Sequence, residues 1–228
     1  MISIVKGTTL ACAVASLLTL VACLGGCSMP VSATYTPIAA TESLTDGVSR
    51  PRVYVAKFED ARTDKERLGA MKNSFGGDAK KLTTTDDLPL LLAEATTDAL
   101  RKGGLDAALH GDRTADSSIP ADELKGVDFV VGGRIKQATV ETNPGWGTIR
   151  ITSKVVIDVY VKCGANGEWV GPIEGTSEMR DFNSNYLQAS SLSSALDKAI
   201  GNCMRNTVRH LKASGVFERQ VATAKPSH

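Results

Sequence analysis

IRITSKVVIDVYVKC, residues 149–163, alternates along its whole length. Ile149, Ile151, Ser153, Val155, Ile157, Val159, Val161 and Cys163 are apolar or small, while Arg150, Thr152, Lys154, Asp158 and Lys162 fall between them. A period of two over this length is a β-strand with one face buried and the other largely in water. A one-residue slip would turn the whole apolar row outward, so the register is strongly specified. Downstream, Ala165-Asn166-Gly167 supplies the positive φ that a tight hairpin needs, and 169–180 is the return strand. Upstream, the turn Asn143-Pro144-Gly145-Trp146-Gly147 follows a strand over 128–141, where Gly132-Gly133 marks a bulge or bend.

Two helices flank this meander. Thr83-Thr84-Thr85-Asp86-Asp87 supplies several possible N-caps for a helix that has Pro89 in its first turn. Leu88, Leu91, Leu92, Ala95 and Ala99 lie on one face, Arg101 and Lys102 at the negative end, and Gly103-Gly104 at the stop. Residues 191–213 carry a continuous stripe of Leu192, Ala195, Leu196, Ala199, Ile200, Cys203, Met204, Val208 and Leu211. Short strands are predicted at 52–58 and 105–110, with polar loops at 59–77 and 111–125. The predicted fold is α+β: a single two-layer domain in the order β-α-β-β-β-β-α. It has a largely antiparallel sheet of four to five strands, with both amphipathic helices on one face. Cys163 on the buried strand face and Cys203 on the helix stripe can meet in that core, as a disulfide or as two separate thiols.

The N-terminus carries a different signal. Lys6 precedes an apolar stretch over 8–24, too short to span a bilayer comfortably, and the next charge is Glu42. This is an export leader. Leu24-Gly25-Gly26-Cys27 resembles the lipobox of bacterial lipoproteins, and Leu20-Val21-Ala22-Cys23 is an overlapping alternative. The resemblance implies a thioether-linked diacylglyceryl group on Cys27, acyl chains such as palmitate, and cleavage before that residue. Met29 at the second mature position implies sorting to the outer membrane, facing the periplasm. Two or more acyl chains anchor stably, so the domain itself need not bind membrane. The predicted organisation is a leader at 1–26, a lipidated start and flexible linker at 27–50, the domain at 51–217 and a disordered tail at 218–228. As a coil the linker spans about 25–30 Å and lets the domain stand off the membrane.

Loss of Lys6 with the leader leaves 25 basic against 25 acidic residues. That balance gives no footprint for nucleic acid. Three of the five cysteines, Cys12, Cys23 and Cys27, belong to the leader or the anchor. No Cys or His spacing suits zinc, and neither a nucleophile elbow nor a phosphate loop is present. No cofactor or metal is expected, and the chain is not read as an enzyme.

Phe58-Glu59-Asp60-Ala61-Arg62, Lys72-Asn73-Ser74-Phe75-Gly76-Gly77, Thr84-Thr85-Asp86-Asp87 and 99–105 resemble the YajG family of outer-membrane lipoproteins. The resemblance implies a layout similar to periplasmic modules that assemble envelope machines, and no activity. Candidate partner-binding residues are Asp60, Arg62, Asn73, Phe75 and Trp146. Asp60 and Arg62 either meet a partner or anion, or brace a turn as an ion pair. Phe75 is either a plug on the sheet edge or an exposed anchor, and Trp146 either projects from its hairpin or folds back on it. The expected function is a non-catalytic binding or assembly module, held to the membrane by lipid and meeting an envelope protein or another copy of itself. A carrier or sensor of a small amphiphile and an envelope hydrolase are the alternatives.

Overall fold

The computed structural model describes residues 28–39, 42–45, 50–115, 119–120, 122–163, 166–181 and 188–218. The leader, Cys23, Cys27 and residues 219–228 lie outside them. Nine strands form one sheet: β1 (Ser28–Pro30), β2 (Arg52–Lys57), β3 (Glu59–Asp60), β4 (Arg67–Lys72), β5 (Asp78–Thr83), β6 (Asp106–Thr114), β7 (Phe129–Pro144), β8 (Ile149–Cys163) and β9 (Asn166–Asp181). Two long helices lie among the described residues, α1 (Leu88–Lys102) and α2 (Ala189–Ser214).

The long strands are the frame. β7 and β8 pair antiparallel from Val130↔Lys162 to Pro144↔Ile149, and β8 and β9 from Ile149↔Asp181 to Cys163↔Asn166. The alternation of β8 is realised: Ile151, Ser153, Val155, Ile157, Val159 and Val161 are all buried, and the residues between them are partly exposed. On its other edge β7 takes three short parallel partners in turn. Val53 pairs with Phe129, Glu59 with Arg134 and Gly69 with Val140, so residues 52–72 follow β7 as one broken strand. At one end β6 adds to β2 in parallel, and at the other β5 adds antiparallel to β4 and β1 parallel to β5.

This corrects the expected sheet: it has nine strands and is mixed, not four to five and largely antiparallel. The additional strands lie in the expected polar loop 59–77, in the residues just after it, and in the expected linker. β4 (RLGAMK) and β5 (DAKKLT) form an arm that buries mainly Leu68, Ala70 and Leu82. Two buried residues in β4 and one in β5 make too short a pattern to stand out in the sequence. The parallel pairing of β4 with β7, seventy residues away, leaves no local trace.

Residues 28–39 and 42–45 are likewise built into the fold rather than forming the free linker expected. Beyond β1 the chain runs over the helices as a strap, with Val31, Ala33, Ile38 and Leu44 buried. Its backbone N–H groups find carboxylates on or beside the helices: Ala33 donates to Asp86 at 2.6 Å and Thr36 to Asp197 at 2.5 Å. Tyr35 Oη donates to Asp98 at 2.7 Å, and Leu44 N to Gly103 O at 2.8 Å. Burial and this bond to Asp98 push the Tyr35 phenol well above its ordinary range. A few isolated apolar residues suffice here, because the folded helices offer donors and acceptors for the strap's backbone.

α1 is capped as its sequence requires, with Asp87 Oδ1 accepting from Leu90 N at 3.1 Å. α2 ends at Gly215, whose φ of 59° closes the last turn. Both helices contribute to one core with Val53, Val55, Val131, Ile135, Val155, Ile157 and Val159. α2 lies so close to β9 that a Cβ on Gly175 would stand 2.3 Å from both Ala199 O and Cys203 N. On the opposite sheet face, among the described residues, Ala115, Ile119, Leu124 and Val127 pack on Tyr54, Ala56 and Val130 near β2.

Cys163 and Cys203 are free thiols, so the disulfide between them is not formed. Cys203 sits over Gly175, which pairs with Val155. Cys163 is eight residues further along β8, about 26 Å at strand rise. A disulfide needs Cα atoms within about 7 Å.

Candidate functional site

The loop after β4 is built by Asn73. Its Oδ1 accepts from Phe75 N and Gly77 N, each at 3.0 Å, while Asn73 N donates to Gly77 O at 2.8 Å. Gly76 takes φ +82°, which an L side chain would resist. Asn73 is thus a brace, and Phe75 is thrust outward with 98% of its surface exposed. The loop after β7 is shorter. Gly145 N donates to Thr148 O at 2.7 Å, Gly147 has φ +67°, and Trp146 at its apex is wholly exposed.

These two tips stem from paired strands. β4 and β7 run parallel with Met71 opposite Thr142, and Lys72 N donates to the buried Thr142 Oγ1 at 3.1 Å. Phe75 and Trp146 each lie four residues past that pair, on loops leaving the same end of the sheet. The sequence singled out both residues but not their juxtaposition. Lys72, Lys80 and Lys81 lie on the same arm, while Arg67 and Arg150 nearby are ion-paired to Asp78 and Glu178.

Asp60 and Arg62 sit elsewhere. Asp60 pairs with Ile135, seven β7 positions from Thr142, or about 23 Å. Arg62 Nε and Nη2 donate to the two Asp60 oxygens at 2.9 and 2.8 Å. Arg62 Nη2 also donates to Lys65 O at 2.6 Å. The side chains are 7% and 10% exposed. Burial raises the Asp60 pKa, but the Arg62 hydrogen bonds and charge outweigh it and hold the carboxyl below its usual value. The pair locks the β3–β4 connection. Beside it a mixed-charge cleft of about 450 Å³ is lined by Arg62, Arg67, Lys72, Lys136 and Glu141 among others.

The face of β7–β9 away from the helices, which no described helix covers, holds a cluster that the sequence reading did not name. Arg134 lies over the Trp169 ring at 4.6 Å, and Tyr160 meets the same ring at 5.0 Å between centroids. Trp169 is 42% exposed. The signal was available in β8, where Tyr160 occupies an outward position of the alternation. Among the described residues no three His, Cys, Asp or Glu side chains come together as a metal would require. No described helix is long and apolar enough to cross a membrane.

No family model matches the chain. No curated protein matches it either. Among solved structures it is similar to protein XCC0632 of Xanthomonas campestris, of the DUF330 family, at 13% identity and a TM-score of 0.47, covering 84% of this chain and 98% of that one. A putative neuraminyllactose-binding hemagglutinin homolog of Helicobacter pylori matches at 11% identity and a TM-score of 0.34, covering 82% and 98%. Lipoprotein GNA1162 of Neisseria meningitidis matches at 11% identity and 0.30, covering 76% and 99%. The YajG resemblance therefore rests on its motifs alone.

Proposed function

We propose that the chain is a lipid-anchored protein of the outer membrane whose domain is a non-catalytic binding module facing the periplasm. The observation that carries this reading is the face of β7–β9 that no described helix covers. These strands are 15 and 16 residues long, or about 50 Å at strand rise. The helices fill one side only. The other presents Arg134, Tyr160 and Trp169 among ion-paired charges, a composition that suits an interface. The partner is an envelope protein or a second copy of the chain. The space between sheet and helices, where an amphiphile would sit, is occupied by Val155, Ile157, Leu196 and Ile200, all buried.

The anchor is supported by the lipobox, with Cys27 as the acylated residue and Ser28-Met29 as the outer-membrane start. Mass analysis of the purified mature chain should show acylated Cys27 at its start. In-cell crosslinking from a photoreactive residue at Tyr160 should capture one defined protein or a dimer, and Trp169→Ala should abolish the capture. A strictly monomeric species that crosslinks to nothing would count decisively against the reading.

A further inference from the structure

We propose that the two hairpin tips are a membrane-contact site: Phe75 and Trp146 insert into the surface of the same bilayer that holds the acyl chains. The proposal rests on the reading of Cys27 as the anchor, and it deepens it. β5 leads away from the Phe75 tip, and β1 lies beside it in parallel with Ser28 opposite Lys81. Ser28 is therefore the end of β1 nearer the tips. Lys81 is three residues from Asp78 at the base of the tip, about 10 Å along the strand. Cys27 precedes Ser28 by one residue, about 3.8 Å of chain. With β1 paired into the sheet and the strap bonded across the helices, this arm of the sheet cannot leave the lipid surface by much more than those distances.

Three further observations agree. Phe75 and Trp146 are the two most exposed large apolar side chains among the described residues, at 98% and 104%, and each tips a loop braced to hold it out. Aromatic side chains prefer the headgroup level, where an apolar ring meets a wet boundary. Lys72, Lys80 and Lys81 form no ion pair among the described residues and suit an anionic leaflet. Confinement by the anchor raises the effective concentration of the tips at the surface, so two rings suffice where a free domain would need more.

The test uses the full acylated chain, purified from envelopes and reconstituted in vesicles. Trp169→Phe leaves Trp146 as the sole tryptophan of the two in the sequence. Nitroxide-labelled lipid, with the label shallow on the acyl chain, should quench Trp146 at least roughly twofold, as expected for a group 5–10 Å into the boundary. Quenching should be stronger with phosphatidylglycerol than in phosphatidylcholine alone. It should fall in Phe75→Ala, and Trp146→Phe should lose the quenched signal while the remaining Trp169 stays unquenched. Acylated, vesicle-bound protein whose Trp146 is unquenched in both lipids overturns the docking but leaves the anchor standing, whereas absence of acyl mass on Cys27 sinks the anchor itself. A photoreactive residue at position 75 that labels protein and no lipid in cells also overturns the proposal.

Discussion

At the scale of single residues, the buried Asp60–Arg62 pair is the most exacting feature. Removing one charge of such a pair strands the other. Asp60→Asn should cost about 2–4 kcal/mol and lower the midpoint of thermal unfolding by several degrees. The pH dependence follows from the sign of the shift. Asp60 has a folded pKa below its ordinary 3.8, so its contribution is fully present above that value and is lost as pH falls below it. The stability gap between wild type and Asp60→Asn, followed by thermal melts from pH 6 down to 2.5, should close only in the acid part of the range. The cysteines differ in the same checkable way. Burial pushes the Cys203 thiol up to about 12, while Cys163 is only half-buried. Alkylation of native protein followed by peptide mass analysis should label Cys163 well before Cys203, with no disulfide-linked peptide.

At the scale of elements, the fit of α2 on β9 turns on Gly175. A methyl group there meets helix backbone at 2.3 Å, which only a shift of helix or strand can relieve. Gly175→Ala should therefore destabilise by about 2–3 kcal/mol in chemical denaturation, more than a cavity-free surface change would. The elements that sequence reading recovered are those whose own side chains announce burial. β8 carries an unbroken apolar row, and α1 and α2 carry a stripe, a cap and a stop. The elements it missed are held by other parts of the chain. β4 gains its partner from β7 and β5 gains its partners from β4 and β1, and the strap after β1 gains its bonds from Asp86, Asp98 and Asp197 on or beside the helices. Phe75 and Trp146 were legible as unusual residues in glycine turns. That they share one end of the molecule was not, because it depends on the parallel pairing of strands far apart in sequence.

At the scale of the whole molecule, the distance between domain and membrane is what changes most. A coil over 28–50 would give the domain a reach of about 25–30 Å. The folded strap removes that freedom, and the proposed anchor leaves the domain seated beside its lipid. A ten-residue Gly/Ser insertion between Cys27 and Ser28 restores roughly 17 Å of slack. It should leave the melting temperature unchanged while reducing quenching of Trp146 by membrane nitroxides. Unchanged quenching would mean that the tips hold the bilayer without help from a short leash.

β9 has no strand on its outer side among the described residues, and long bare edges invite other chains to zip on. Here Asn202 Nδ2 donates to Thr176 O at 2.6 Å and Asn206 Nδ2 to Glu174 O at 2.7 Å, so α2 already occupies two acceptors along it. Held by the proposed anchor on a two-dimensional surface, copies of this protein would meet repeatedly along that rim. Two asparagines on one helix thus leave that rim fewer free acceptors for an incoming chain.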